Sequence, residues 1–152
     1  MLDIRLQFPD PVFELSEEER ASRADFGDDA GVLDPDSSSP RFFVRGLLQL
    51  PILDLNDFFA YGAWVELDER SFGRIGDLWW DSHGSDEPPF LGRLANELEP
   101  YVATAGLDCQ LQLRDVKRVP SITVRPADHP LSADQVSGIT LQRVHELAAA
   151  VS

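Results

Sequence analysis

Residues 41–67 constrain the fold more than any other part of the chain. Two strongly apolar and aromatic runs, RFFVRGLLQL and FFAYGAWVEL, flank a short polar link that contains aspartate and proline. Runs of this kind on both sides of a short link are typical of neighbouring antiparallel strands. Both faces of each run are largely apolar, which indicates a central pair covered on both sides for part of its length. Pro51 is expected to end the first strand, because proline cannot donate to a sheet ladder.

The remaining apolar patterns are shorter and do not alternate regularly between strand and helix. Period-two patterns predict strands near residues 4–8, 108–114 and 121–125, and a strand is favoured over a helical turn at 90–98. Helices are predicted over about 17–24, 69–80 and 141–151, with N-caps at Ser16, Asp68 and Thr140.

These elements predict an α+β fold with a mainly antiparallel sheet of about four to five strands. Two main helices and a short N-terminal helix complete it. The 152 residues fit one globular domain over 1–152, and the loop-forming composition of residues 25–40 makes the N-terminal segment, 1–40, partly loop.

The net charge of −14 is the strongest compositional signal. Residues 1–40 hold eleven acidic residues and three arginines, and so carry −8 of the total. This charge argues against nucleic acid, which needs clustered Lys and Arg, and against anionic membrane surfaces. A solvated surface that favours solubility explains the acidity. The alternative is an acidic face that steers a basic partner protein.

The residue inventory also sets expectations about compartment and cofactors. The sequence contains no run of about 18 apolar residues, so no membrane span is expected. The first residues lack the pattern of a signal peptide. Cys109, the single cysteine, excludes an intrachain disulfide and a cysteine-based zinc site, and its strand pattern predicts a core residue. A cytoplasmic protein without a cofactor is therefore expected.

The histidines supply the only candidates for catalysis or metal binding. His129 stands between Asp128, which could orient its ring, and a proline, with Asp134 as a further carboxylate. This is the minimum for base catalysis, but no serine stands in a nucleophile-elbow pattern. A His-Pro turn held by the aspartate explains the same residues. His83 lies in an acidic loop that lacks the full ligand series of a calcium loop, so no metal site is assigned.

The tryptophan pair at positions 79 and 80 suggests a different kind of site. Neighbouring residues on a helix point in different directions, so one ring is expected in the core and the other at the surface. An exposed Trp80 beside Phe90 could anchor a partner protein. A pocket between the sheet and the helix that carries Phe72 and Trp79 could instead hold a small molecule.

Several segments together carry a resemblance to a known family: RFFVRG at 41–46, LPI at 50–52, YGAWVEL at 61–67, EPPFLG at 87–92, PADHPL at 126–131, and the later Asp134-Gln135, Gly138-Ile139-Thr140 and Arg143-Val144. They resemble a bacterial family named only as a domain of unknown function, number 2199, and the resemblance extends over roughly residues 12–148. Many members begin with a Cys-x-x-Cys segment that this chain lacks, so the resemblance implies no zinc role. It implies no established activity either, but it draws attention to the block that contains His129, Asp134 and Gln135.

The leading functional hypothesis is a small non-enzymatic binding or accessory protein, in the manner of an inhibitor or immunity protein of a basic partner. Acidity and the absence of a complete catalytic constellation in the sequence motivate it. The alternatives are a hydrolase that uses His129 with Asp128, and a small-molecule sensor. Whether the protein is an enzyme stays open at this point, with the balance against it.

Overall fold

In the computed structural model, which describes residues 2–115 and 119–150, the chain forms eight strands, five α-helices and one 3₁₀ turn. The strands are β1 (Leu2–Arg5), β2 (Ala24–Phe26), β3 (Ala30–Leu33), β4 (Arg41–Ile52), β5 (Asp57–Leu67), β6 (Phe90–Leu94), β7 (Asp108–Gln112) and β8 (Ser121–Val124). The helices are α1 (Asp10–Phe13), α2 (Glu17–Arg23), α3 (Glu69–Leu78), α4 (Pro130–Ser137) and α5 (Leu141–Ala150), and the 3₁₀ turn is Gly84–Asp86. The predicted α+β class is confirmed, whereas the predicted numbers of strands and helices were too low.

The sheet is organised around the long antiparallel pair β4–β5. The strand order is β1–β5–β6–β7–β8–β4–β3–β2, and the direct pairing of β4 with β5 closes five of these strands into a barrel. All neighbours within the sheet are antiparallel except β1 with β5 and β4 with β8. The prediction of a mainly antiparallel sheet therefore holds.

The outer edge of β4 is divided between two partners. Residues 41–44 pair with β3, and Leu47 then pairs with β8. Between them, the Arg45 N–H donates to the Asp29 carbonyl, and the Leu47 N–H donates to the Pro120 carbonyl, each at 2.8 Å. We call the point between these two pairings, at residues 45–47, the fork of β4. Gly46 lies at the fork, where an added Cβ would stand 2.9 Å from the Pro120 oxygen. The fork therefore needs a residue without a side chain.

Two apolar clusters lie on the two faces of the β4–β5 pair. The larger fills the barrel and includes Leu48, Tyr61 and Leu111, which are fully buried. The smaller lies outside the barrel around Phe43 and Trp64. The predicted coverage of both faces follows from this arrangement, because β4 and β5 contribute alternate residues to the two clusters.

Two helices cover opposite ends of β4. Near its start, Phe72 of α3 packs against Phe42, and the centres of the two rings are 5.1 Å apart. Near its end, the Ile139 N–H donates to the Pro51 carbonyl at 2.8 Å, which fixes the junction between α4 and α5. We refer to the region around Phe42 and Phe72 as the α3 end, and to the region around Pro51 and Ile139 as the α4 end.

Three local expectations were wrong for identifiable reasons. Pro51 does not end β4, which continues to Ile52. Proline lacks only the backbone N–H donor, and the Pro51 carbonyl still accepts a hydrogen bond. Residues 25–40 are not loop throughout, since β2 and β3 form a hairpin against β4, although residues 27–29 and 34–40 lie outside strands and helices. The apolar spacing of the last helix predicts a core stripe of Leu141, Val144, Ala148 and Val151. The structure instead buries Val144 and Leu147 and exposes Leu141 and Ala148, and Val151 lies outside the described residues.

Candidate functional site

A cavity of about 370 Å³ lies between α3 and the sheet. Its lining residues come from the β2–β3 turn, the start of β3, β4, α3 and the two residues that follow α3: Gly27, Asp29, Ala30, Val44, Phe72, Ile75, Gly76, Trp79 and Trp80. The volume is at the lower end of the range for small-molecule pockets, which are also mostly apolar with a few polar groups. We call this space the α3 cavity. Its position was predicted from the sequence as the gap between the sheet and this helix.

The fork of β4 explains why there is space here. Because β3 and β8 leave the same edge of β4 in different directions, they do not pair with each other beside Arg45. A second cavity of about 130 Å³ lies against Leu113 and Pro120 on the β8 side. Asp29, Trp79 and Trp80 line both cavities, so these three residues stand between them.

Helix α3 is held by its cap and by a narrow apolar stripe. The Ser71 N–H donates to the Asp68 carboxylate at 2.7 Å, and this bond lowers the pKa of that carboxyl group. Ile75 and Leu78 are buried, and Trp79 is half-buried against the barrel core. Trp80, one position further along, is 76% exposed. The predicted helix over 69–80 ends at Leu78, so Trp79 is its C-cap and Trp80 lies in the following turn, but one ring is half-buried and the other exposed as the sequence predicts.

Asp29 is the acidic group of the α3 cavity. Its Oδ1 accepts a hydrogen bond from the Arg45 guanidinium at 2.6 Å, and the Arg45 side chain is only 9% exposed. A buried guanidinium needs a hydrogen-bonded counter-charge, because an unpaired one would lose its hydration without compensation. The backbone bond from Arg45 to the Asp29 carbonyl fixes the same two residues a second time. Asp29 is therefore a positioned carboxylate, and about a third of its side chain is exposed.

The sequence-predicted residues at the α4 end are engaged in the structure. His129 is the N-cap of α4: its Nδ1 accepts from the Leu131 N–H at 3.0 Å. Since that nitrogen accepts, the proton is on Nε2, which donates to the Val102 carbonyl at 2.8 Å. Both ring nitrogens are thus used. Asp128 is exposed and has no hydrogen bond to the ring within residues 2–115 and 119–150.

Gln135 takes the place of a neighbouring strand along β8. Its side-chain oxygen accepts from the Val124 N–H at 2.9 Å, and its side-chain nitrogen donates to the Ile122 carbonyl at 2.7 Å. These two backbone groups lie on β8 beyond Ser121, the residue at which β4 pairs with this strand. The amide therefore satisfies backbone polar groups that would otherwise be left without partners.

Asp134 belongs to a small polar group beside the barrel core. It accepts a hydrogen bond from the Tyr101 hydroxyl, and the Arg143 guanidinium stands 5.3 Å from the centre of the Tyr101 ring. Burial, with this bond as a second cause, raises the pKa of Tyr101. The buried hydroxyl of Tyr61 has no hydrogen-bond partner among the described residues, and burial raises its pKa to about 12. Arg143 and Asp134 also act electrostatically on Tyr61.

The other candidates are distributed elsewhere. Phe90 is half-buried, packs against the barrel core and lines neither cavity. The His83 side chain is 83% exposed, and its Nδ1 lies 3.6 Å from the Asp86 Oδ2. Cys109 is buried, and that burial raises the pKa of its thiol to about 12. Among residues 2–115 and 119–150, the structure brings no three His, Cys, Asp or Glu side chains into a metal-binding group. The sequence pattern of the last helix predicts a partly buried His145 at the edge of its apolar stripe, but this residue is exposed.

The family comparison matches residues 1–139 to "Uncharacterized protein conserved in bacteria (DUF2199)". The chain belongs to this family. The matched region contains every residue that lines the α3 cavity, together with α4, and ends before α5 begins. No curated protein and no solved structure gives a significant match.

Within this DUF2199 chain, Asp29 is the site residue that sequence reasoning missed. It lies in a tight turn in which the Gly27 N–H donates to the Ala30 carbonyl at 2.9 Å. The short apolar segments on both sides of Gly27-Asp28-Asp29 are a weak hairpin signal, but nothing in them indicates a bond to Arg45, sixteen residues later. None of the helices in the part of the chain that the structure describes has the length and apolar character to cross a membrane.

Proposed function

We propose that this protein is a non-enzymatic binding module that holds a basic polypeptide segment at the α3 cavity. The observation that carries the proposal is the placement of Trp80, which is 76% exposed beside an aromatic-lined cavity. Tryptophan dominates many protein interfaces, because its large ring buries much apolar area with little loss of side-chain entropy. An exposed ring next to a cavity is therefore well placed to contact a partner.

The charge around the cavity supports a basic partner. Asp77 and Asp81 are exposed on either side of the tryptophan pair, and Asp29 lies inside. Arg114 lines the smaller cavity, but Asp115 lines it as well. Together with a net charge of −14, this surface favours the approach of a positively charged segment and makes the association sensitive to salt.

The test is affinity capture from the native host at low and moderate salt with three baits. The baits are the wild-type chain, Trp80→Ala and Val136→Ala. Val136 is a matched control, because it is also strongly exposed, at 82%, and lies on α4. We expect a basic protein that is retained at low salt by wild type and Val136→Ala, and lost with Trp80→Ala. Capture of nothing at low salt, or equal capture by all three baits, would contradict the proposal.

A small-molecule sensor is the second candidate, because the volume of the α3 cavity suits a small ligand. A ligand that enters it should raise the melting temperature in proportion to the logarithm of its concentration above Kd. The Gly76→Ala variant, which adds a methyl group to the lining, should weaken that shift. Thermal shifts that are equal in wild type and Gly76→Ala would place the ligand elsewhere.

The hydrolase hypothesis stays a prediction that the geometry of His129 disfavours. Its accepting nitrogen is bonded to a backbone N–H, so it has no free lone pair for a substrate. Loss of hydrolysis in His129→Asn, measured on an identified substrate with the fold intact, would be the result that revives this hypothesis.

A further inference from the structure

We infer that the α3 cavity recognises an organic cation, specifically the guanidinium or ammonium end of an arginine or lysine side chain of the partner. The inference rests on the proposed function, which supplies a basic partner. It adds the chemistry by which one side chain of that partner is selected. The relevant atoms are the rings of Phe72, Trp79 and Trp80 and the carboxylate of Asp29.

The composition of the lining is that of a cation site. Of its nine residues, three are aromatic, five are glycine or aliphatic, and Asp29 alone is charged. The face of an indole attracts a cation through the ring quadrupole, and this attraction grows as the cation loses water. Trp79 and Trp80 supply two indoles at one cavity, so a cation that enters meets aromatic surface and a single acidic group.

The carboxylate of Asp29 has unused capacity to accept hydrogen bonds. Its one partner among the described residues is Arg45, which donates to Oδ1. An ionised carboxylate accepts about four hydrogen bonds. The bond to Arg45 partly neutralises Asp29, but it also fixes the carboxylate before any ligand arrives, so little ordering is needed on binding. The remaining sites can accept from a guanidinium or an ammonium group.

Two glycines of α3 make a matched pair for testing the site. An added Cβ at Gly73 or at Gly76 meets no atom within 4 Å, and both residues are exposed on the same helix. Replacing either by alanine should strengthen the helix to a similar extent. Only Gly76 lines the cavity, so only Gly76→Ala should obstruct a cation.

The experiment is an NMR titration of the three tryptophan indole N–H signals in the whole chain. The probes are Nα-acetyl-arginine methylamide, its lysine equivalent and the citrulline equivalent, which has almost the shape of arginine but no charge. Trp64 is the internal reference, because it is fully buried and its indole N–H donates to the Leu6 carbonyl at 3.0 Å. We expect arginine or lysine to shift the Trp79 and Trp80 signals and leave Trp64 unchanged, with citrulline much weaker.

The variants should separate the contributions of the ring, the charge and the space. Trp80→Leu is expected to weaken arginine binding by roughly threefold to tenfold, as for the loss of one partly exposed cation–π contact. Gly76→Ala should weaken it and Gly73→Ala should not. Asp29→Asn should also weaken it. If Asp29→Asn fails to fold because Arg45 loses its counter-charge, Trp80→Leu and Gly76→Ala still decide whether a cation binds in the cavity.

Citrulline binding as tightly as arginine, or no shift of Trp79 and Trp80 with either cation, would overturn the inference. If the Trp80-dependent capture succeeds while citrulline and arginine bind equally, the proposed function stands and the cation inference fails. If arginine binds as expected but nothing basic is captured, the cavity is a site for free cations, and the assignment to a partner's side chain is wrong.

Discussion

The α3 end and the α4 end of the barrel use their polar groups in opposite ways. At the α4 end, the side chains of His129 and Gln135 bond to backbone groups. At the α3 end, Asp29 keeps accepting capacity beside a cavity, and Trp80 stands mostly in solvent. The polar block at 126–135 attracts attention in the sequence, yet His129 and Gln135 within it use their polar atoms to hold α4 against the Val102 carbonyl and β8.

The difference teaches how to separate a structural polar cluster from a candidate binding site. A cluster whose hydrogen-bonding atoms all point to backbone contributes stability and has little left to offer a ligand. Unused accepting capacity beside concave, aromatic surface is the better indicator of binding.

The largest effect is expected for Gln135→Leu. This change leaves the Val124 N–H and the Ile122 carbonyl without the side chain that pairs with both. Each partly buried group left unpaired costs about 1–2 kcal/mol, so unfolding should become easier by roughly 2–4 kcal/mol. Urea denaturation measures the change, and Ser137→Ala, an exposed position on the same helix, is the control. A loss below that of the control would mean that α4 is not held by this amide.

Tyr61→Phe should stabilise the protein and change its response to alkali. Removing a buried hydroxyl without a partner should gain about 1 kcal/mol at neutral pH. Burial raises the pKa of Tyr61 from about 10 to about 12, so ionisation of this residue does not affect stability below pH 10 and lowers the stability of wild type as the pH rises towards 12. Over that range wild type should lose roughly 2 kcal/mol more than the variant.

Urea midpoints measured at several pH values between 8 and 12 test this expectation. Cys109, whose pKa is also raised, titrates in both proteins and cancels in the difference. Parallel pH profiles for the two proteins would show that Tyr61 does not stay protonated in the folded state as its burial requires.

His129→Ala should cost about 1 kcal/mol, the usual value for a lost N-cap. His129→Asn should recover part of this loss, because a short amide oxygen can also accept from the second helical N–H. Thermal unfolding of the three proteins provides the comparison. Equal losses in both variants would assign the effect to the bond between the ring and the Val102 carbonyl rather than to the cap.

The smallest effect belongs to the α3 end. Gly73→Ala should stabilise the protein by roughly 0.5–1 kcal/mol, because alanine loses less backbone freedom in a helix than glycine and the added methyl group meets no neighbour. Differential scanning calorimetry should show a small rise in Tm. A fall in Tm would mean that α3 depends on the flexibility of this glycine.

The parts of the fold that could be predicted are those with a strong local signal. The β4–β5 pair is dense in aromatic and β-branched residues, and the caps at Ser16 and Asp68 depend on residues three positions apart, which one can see directly in the sequence. The β2–β3 hairpin could not be predicted in the same way. Its strands have three and four residues, and pairing with β4 rather than intrinsic propensity holds them.

The candidate site shows the same limit. The space beside α3, and the burial of one tryptophan ring with exposure of the other, could be expected from the apolar spacing of residues 72–79. Helix α4 begins with a histidine cap, which is not among the favoured N-cap residues, so the sequence does not indicate a helix in this block. The role of Asp29 depends on a contact with Arg45 that arises only when β3 lies against β4.

The position of the sheet's edges also bears on aggregation. Since the five barrel strands close on one another, the sheet formed by the described residues ends only at β1 and β2. These two strands have four and three residues, and exposed charges interrupt them at Asp3 and Arg5 and at Asp25. Long, flat and apolar edges recruit strands from other chains, whereas short charged ones discourage them. A protein with such a hydrophobic centre therefore offers little template for fibril growth.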